Sequence, residues 1–562
     1  MNSSGVAGIL QFTGYDYGTS IALLTFSALI GVYYGFIAKQ KQNNPNEYLL
    51  GGKSIGLFPI SISLIVWQIS GMTLLGLPVE VYTNGTQQWA SIISVIGVGL
   101  ALKYVYLPVF YDLQCATCFT YLELRFDKQV KNFVSLLYTI SMLLFIPTVI
   151  YIPAIAFNQV SGINLYVILV VTCLVCIFYT TVGGLKAVVW TDAIQFFMML
   201  AAVLSIIFVA GSYMEGFADV WRAADRGKRV IFFDINPSPF QRLSFWSVTI
   251  GLTFQMIASI CISPTVVQRC VSLPDYGKVM KSLVIFLIGI TFFNICAHIT
   301  GLQMYARYET CDPFSAGYTK KIDQVLPYFV MDVGGSVPGL AGLFISGIFA
   351  AAMSTMSSSL NTLSGTIYED FLKSHFVGAS DEKTSNIMKL IVVILGLILI
   401  ALVVVVDKLG PIYELSLTLS SVTNGAMLGI FTMGMVCRSA NTKGVIAGAM
   451  VSVSVVGVAI IGAQSSKLDA MLPMRVDGCN WTDSDVLNST RNTHTTSTIP
   501  GTNDSEEPFW LFEISFMYYA FIGFVLVFIV GYPISLMTGK AKRFDEILLL
   551  PYKRIGTEYH RL

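Results

Sequence analysis

Charged side chains are scarce in this sequence. Lys and Arg number 34 and Asp and Glu 33, together 12% of 562 residues, whereas soluble domains average about 25%. Apolar runs are long instead: many exceed the ~18 residues that mark a membrane-spanning helix, and the mean hydropathy is +0.69. The composition excludes a string of soluble domains. It predicts an all-α polytopic membrane protein, with 1–562 forming one transmembrane transporter domain in contact with lipid.

Other absences narrow the function. The net charge of +1 lacks the basic excess typical of nucleic-acid binding, so no nucleic-acid partner is expected. No His pair, activated nucleophile or phosphate-binding glycine loop lies in a suitable setting, so the sequence predicts neither an enzyme nor a cofactor. The N-terminus has no basic region before a short apolar core, and no removable signal peptide is expected.

The apolar runs fit about thirteen crossings. An odd number places the two ends of the chain on opposite sides of the membrane. With the N-terminus outside, the inner loops and tail hold more Lys and Arg than the outer segments, as the positive-inside rule requires. The predicted spans are 17–38, 54–80, 88–110, 131–157, 163–183, 187–212, 243–266, 281–304, 340–370, 388–406, 411–437, 444–464 and 511–537.

Glycosylation acceptors agree with this topology. All five N-x-S/T sequences fall in segments that the charge pattern assigns to the outside, which favours a plasma-membrane protein with an extracellular N-terminus. They are Asn2, Asn84, Asn480, Asn488 and Asn503. The polar stretch 465–510 is predicted to be a glycosylated extracellular loop, and 538–562 a cytoplasmic tail. Cys311 and Cys479 both lie in outer loops, where a disulfide can form.

Two spans carry helix-breaking residues at matching positions. The second reads SISLIVWQISGMTLLGLPVE, with Gly71 and Pro78, and the seventh reads SVTIGLTFQMIASICISPTVVQR, with Pro264. They lie five spans apart and therefore cross the membrane in opposite directions. Paired breaks in inverted halves predict a transporter binding site, whereas ordinary proline kinks are the alternative. The two halves would cover about 54–212 and 243–437.

The ninth span carries an unusual number of hydroxyls. Ser354, Ser357, Ser358 and Asn361 recur at the spacing of one helix face, beside Thr355. Packing of small residues is one explanation. The other is a cation site, because hydroxyls and unwound-helix carbonyls supply the several oxygens that a dehydrated Na⁺ needs.

Acidic and basic side chains in the spans raise separate questions. Asp192 lies six residues past Lys186, inside the predicted span 187–212. An acidic side chain inside a span indicates function. The alternative is a salt bridge to Lys186 or to another base from an inner loop. Four further charges lie at predicted span ends, where a solvated or snorkelled side chain is the ordinary interpretation. They are Glu80, Arg269, Asp407 and Glu414.

At these positions the sequence resembles the sodium/solute symporter family, over almost the whole chain. Several motifs resemble the branch that carries monocarboxylates, multivitamins and iodide. The motifs are GGKSIGLFPISISL, LGLPVEVY, FTYLELRF, YTTVGGLKAVVWTD, NPSPFQRLSFW, VVQRC and PGLAGLFISGIFAAAMSTMSSSLNTLS. The resemblance implies a leucine-transporter-type fold with a 5+5 inverted repeat, and Na⁺ as the coupling ion.

The resemblance also implies binding residues. A general sodium site falls on the carbonyls of Val66, Ile69 and Ala351 and the hydroxyls of Ser354 and Thr355. A second sodium site, present in some members, falls on Asp192, Ser357 and Ser358. The substrate site falls near Trp67, Gln68, Thr73, Ser259 and Asn424.

The substrate is less defined than the sodium coupling. Members of this branch usually have a Tyr and an Asn-Gln pair where this chain reads ASICISPT. The sequence therefore predicts a secondary active sodium-coupled symporter of a small organic solute, a monocarboxylate or a vitamin-like anion. The alternatives are an iodide-like inorganic anion carrier, or a solute sensor or ion pathway that moves no solute. A second sodium site would let two Na⁺ enter with each monoanion.

Overall fold

The computed structural model of the chain describes residues 12–32, 55–114, 117–214, 216–376, 378–406, 412–466, 471–479, 509–539 and 546–550. Within these ranges the architecture is helical. The longer helices are α1 (Gly14–Val32), α2 (Leu57–Gln68), α3 (Met72–Asn84), α4 (Thr86–Leu113), α5 (Phe119–Arg125), α6 (Lys128–Ser161), α7 (Leu165–Ser212), α8 (Phe217–Arg226), α9 (Ser247–Cys261), α10 (Pro264–Val271), α11 (Tyr276–Arg307), α12 (Val325–Gly334), α13 (Leu340–Ile367), α14 (Asp381–Val406), α15 (Ile412–Val436), α16 (Thr442–Ser466) and α17 (Tyr519–Met537).

Both predicted helix breaks are present. The α2–α3 pair bends by 58° and the α9–α10 pair by 53°. At the first break Ile69 leaves the helical region with ψ 88°, and at the second Pro264 starts a new helix after the extended Ser263. Gly71 permits a close approach, because a Cβ there would lie 2.8 Å from Cγ2 of Ile152 on α6.

The helix count in the described residues is lower than the prediction. Nine helices are long and apolar enough to cross a membrane, or eleven if each bent pair is one span. The thirteen crossings therefore stay a prediction.

Helix α7 covers the predicted fifth and sixth spans together. Cys176 Sγ lies 3.7 Å from the carbonyl of Met353 on α13. Asp192 accepts a hydrogen bond from Ser354, the residue that follows Met353. Sixteen residues of straight helix would separate Cys176 from Asp192 by about 24 Å. Helix α7 must therefore bend between them, as the two predicted crossings would require.

Helix α13 is the centre of the bundle. Its side chains are buried over nearly its whole length, and it packs against α1, α6 and α7. Helices α16 and α17 pack mainly on each other and on α15. The hydroxyl-rich segment of α13 is therefore enclosed by protein, where an unbonded polar group is costly.

A disulfide joins Cys311 to Cys479, with the Cα atoms 5.0 Å apart. It fixes segment 471–479 against the C-terminal end of α3. The Leu472 N–H donates to the carbonyl of Thr83 over 3.1 Å, and the guanidinium of Arg229, only 1% exposed, donates to the carbonyls of Tyr82 and Pro473. These loops are therefore tied to α3, the second half of the first broken helix.

The interpretation of Glu80 as a solvated charge is wrong. Glu80 is 5% exposed and pairs with Arg242 over 3.2 Å, and Arg242 also pairs with the partly exposed Glu414 over 2.5 Å. One guanidinium therefore joins the C-terminal half of α3 to the start of α15. Asp407 lies outside the described residues.

Candidate functional site

The two helix breaks open onto one cavity. It has a volume of about 150 Å³, and its lining includes Ile69 and Ser70 from the first break and Ile262 and Ser263 from the second. Backbone groups at a break are released from the i→i−4 ladder. The Ser70 N–H, for example, donates to the carbonyl of Gln68, two residues back rather than four. The breaks thus interrupt helical hydrogen bonding at the residues that line the cavity.

All five predicted substrate residues line this cavity. They are Trp67, Gln68, Thr73, Ser259 and Asn424. None of the described side chains that line the cavity is charged. A bound solute would therefore meet hydroxyls, amides and aromatic faces, together with the ends of broken helices.

The sequence reasoning missed several lining residues. Gln88, at the start of α4, donates to the Tyr413 hydroxyl over 2.6 Å, and Ser91 lies one turn further along. Three buried polar atoms here have no hydrogen-bond partner among the described residues: Trp67 Nε1, Gln88 Oε1 and Ser91 Oγ. Buried polar groups are normally paired, so these three are available to a ligand. The polar TQQWAS run before an apolar helix was a signal that could have found two of them.

Two of the predicted sodium residues, Ile69 and Thr355, line the cavity. Val66, Ile69 and Ala351 are fully or almost fully buried. Thr355 lines the cavity, and its hydroxyl donates to the carbonyls of Ala351, at 3.0 Å, and Trp67, at 3.4 Å. A hydroxyl of α13 therefore lies against the last carbonyls of α2, at the negative end of that helix. These oxygen types suit Na⁺.

Ser354 has a different partner. Its Oγ donates to Oδ1 of Asp192 over 2.5 Å, and Ser63 Oγ donates to Oδ2 of the same carboxylate over 2.5 Å. Ser357 Oγ donates to the carbonyl of Ser354 over 3.1 Å. The structure therefore brings residues of both predicted sodium sites together, and it adds Ser63 from α2, which the sequence reasoning missed.

Arg269 is not a solvated or snorkelled charge. Its side chain is 1% exposed, and Nη2 lies 3.3 Å from Oδ2 of Asp192, which is fully buried. It also donates to Ser63 Oγ and Ser358 Oγ, each over 2.8 Å. The interpretation failed because a position near a span end indicates depth but not which neighbours enclose it. The side chain of Lys186, the alternative partner of Asp192, lies outside the described residues.

A cavity between two oppositely directed broken helices is characteristic of alternating-access transporters. The profile of the Sodium:solute symporter family matches residues 48–452. The chain belongs to the sodium:solute symporter family. Its class of function is therefore the predicted one, sodium-coupled symport of a small solute, with Na⁺ as the coupling ion.

Curated relatives extend over almost the whole chain. The human sodium-coupled monocarboxylate transporter 2 is 33% identical over 547 residues, which cover 96% of this chain and 86% of the relative. The Xenopus laevis sodium-coupled monocarboxylate transporter 1 is 34% identical over 542 residues, covering 95% and 87%. These relatives are transporters and not enzymes.

A solved transporter structure has a fold similar to that of this chain. The substrate-bound outward-open state of a Na⁺-coupled sialic acid symporter superposes with a TM-score of 0.74 and 22% identity, covering 95% of this chain and 100% of that one. At this identity the likeness concerns the fold alone. It confirms the predicted all-α, leucine-transporter-type architecture.

Proposed function

We propose that the chain carries a small organic anion, a monocarboxylate or a vitamin-like acid, together with Na⁺ across the plasma membrane. The observation that supports this most directly is that both helix breaks line one cavity, next to the hydroxyl-rich segment of α13. The names of the relatives, as sodium-coupled monocarboxylate transporters, favour the carboxylate class.

An anion suits this cavity although no charged side chain among the described lining residues faces it. The N-terminal ends of α3 and α10 at the two breaks favour negative charge through their helix dipoles. The unpaired Trp67 N–H is a donor for a carboxylate oxygen. A sodium ion beside Thr355 would supply the compensating positive charge, so ion and solute would each favour binding of the other.

The proposed general sodium site consists of the carbonyls of Val66, Ile69 and Ala351 and the hydroxyls of Ser354 and Thr355. The contact between Thr355 and the end of α2 supports this assignment. Because α2 ends at the break while α13 is continuous, an ion held between them would couple the broken helix to the centre of the bundle.

Uptake and current measured together test the proposal. Cells that express the chain receive a short-chain monocarboxylate, biotin, pantothenate or iodide, each labelled, in Na⁺ or choline medium. Uptake of an organic anion that disappears in choline supports the proposal. Uptake of iodide alone would identify an inorganic anion carrier, and solute-evoked current without uptake would identify a sensor or ion pathway.

The proposed topology rests on the distribution of Lys and Arg and on the glycosylation acceptors. It has the N-terminus outside, repeats at about 54–212 and 243–437, a glycosylated loop at 465–510 and a cytoplasmic tail at 538–562. Of the five acceptor residues, Asn84 is described: its Nδ2 donates to Glu80 Oε1 over 2.9 Å. The other four, Asn2, Asn480, Asn488 and Asn503, lie outside the described residues. A glycosidase-sensitive shift in mass, lost when the acceptors are replaced by Gln, tests this orientation.

A further inference from the structure

Four helices contribute to one buried charged cluster. Ser63 comes from α2, Asp192 from α7, Arg269 from α10 and Ser358 from α13. The guanidinium is at its centre: Nε donates to Ser63 Oγ over 2.8 Å, and Nη2 contacts both Ser358 Oγ, at 2.8 Å, and Asp192 Oδ2, at 3.3 Å. The side chains of Arg269 and Asp192 are 1% and 0% exposed, so solvent does not neutralise either charge.

The hydrogen-bonding capacity of Asp192 is largely used. Oδ1 accepts from Ser354, and Oδ2 accepts from both Ser63 and Arg269. A buried carboxylate needs a compensating cation, because an unpaired buried charge is strongly destabilising. In this conformation the guanidinium supplies that cation.

Two of these groups also belong to the predicted second sodium site. Asp192 and Ser358 are the carboxylate and a hydroxyl that would bind Na⁺ there, and both are already bound to Arg269. Adding Na⁺ to the neutral Asp192–Arg269 pair would leave a net positive charge in a buried site. Such a charge is repelled by the guanidinium and poorly solvated.

We infer that Arg269 is a tethered cation that competes with Na⁺ for Asp192 and Ser358. The inference rests on the proposed sodium-coupled function and adds the residue that sets how many ions are bound. Arg269 lies on α10, beyond the break of the seventh span. Arg269 can therefore leave Ser358 only if α10 or the Arg269 side chain moves. While Arg269 holds these contacts, the wild-type chain binds one sodium ion, at the general site.

Direct ion counting on the purified, full-length chain in detergent tests this without relying on transport. Saturable ²²Na⁺ binding should be about one ion per wild-type protein and about two for Arg269→Gln, because an uncompensated Asp192 attracts a second cation. Arg269→Lys keeps the charge and should stay at about one. The double variant R269Q/D192N lacks the carboxylate as well and should return to about one.

Arg125→Gln is a matched control. Arg125 is also buried, and its guanidinium donates to the carbonyls of Gly434 and Cys437, so the control removes a buried guanidinium away from the sodium residues. It should leave the ion count unchanged. Size-exclusion elution and thermal unfolding identify any variant that is not folded. In cells, R269Q should raise the charge moved per substrate by about one.

The outcomes separate the two proposals. Two ions on the wild-type protein, two ions on Arg269→Lys, or one ion on folded Arg269→Gln would each overturn the competition. A wild-type protein that binds no sodium at all would instead overturn the proposed sodium-coupled function.

Discussion

The hydroxyl of Ser354 donates a hydrogen bond to Oδ1 of Asp192 across 2.5 Å. The resemblance assigns these residues to different sodium sites, and the bond shows that the two sets adjoin. A change at Asp192 can therefore alter the orientation of Ser354, and effects of variants at the two positions are not expected to add.

The hydroxyls of α13 give the first prediction. Ser354→Ala and Thr355→Ala should each raise the sodium concentration for half-maximal uptake. Loss of one ligand oxygen should cost roughly 1–3 kcal/mol, by analogy with a buried hydrogen-bond partner, or about 5- to 150-fold in affinity. Ser364→Ala is the control, because Ser364 is buried on the same helix and its hydroxyl donates to the Asn361 carbonyl. Normal sodium dependence in both test variants, at normal surface expression, would make them packing residues.

The indole of Trp67 gives the second prediction. Its Nε1 is buried beside the cavity and has no partner in the described part of the chain, so Trp67→Phe removes a donor and keeps most of the aromatic surface. The KM for an anionic solute should rise by roughly ten- to a hundredfold, the effect of a hydrogen bond to a charged group, while half-maximal sodium, measured at saturating solute, changes little. The control is Trp89→Phe, because Trp89 Nε1 donates to the Phe232 carbonyl outside the cavity. An unchanged KM for Trp67→Phe would exclude a contact with the solute.

The close approach of Gly71 to Ile152 at the first break gives the third prediction. Gly71→Ala would place a methyl group 2.8 Å from Cγ2 of Ile152, and overpacking of this kind costs about 1–3 kcal/mol. Transport should fall, and the added change Ile152→Ala should restore part of it by removing Cγ2. If G71A alone transports normally, the close contact between the first break and α6 is not required during the cycle.

The disulfide, which the proposed topology places outside the cell, gives the fourth prediction. Cys311 and Cys479 are bonded, so a membrane-impermeant maleimide on intact cells should label neither. Cys311→Ser and Cys479→Ser should each free one thiol on the outer surface, and the double variant should free none. Labelling only after the membrane is permeabilised would contradict the proposed topology. Labelling of the wild-type chain at these residues would contradict the bond.

Local sequence was sufficient for much of the fold. Long uncharged runs indicate helices in a membrane because backbone groups must be bonded within their own segment. Gly71 and Pro264 mark the breaks, since glycine weakens a helix and proline cannot donate the backbone hydrogen bond that continues one. The pattern Ser354, Ser357, Ser358 locates one polar face of α13 by helical periodicity alone.

Only the tertiary structure decided which partners these residues have. Asp192 and Arg269 are 77 positions apart, and nothing local in either segment predicts their contact. The pair forms because four helices enclose both charges away from water, where each needs the other. The cavity has the same origin: Gln88, Tyr413 and the two breaks line one space because the packing of distant helices leaves it open. Sequence periodicity predicts the face of a helix, whereas the neighbour that the face meets depends on the whole bundle.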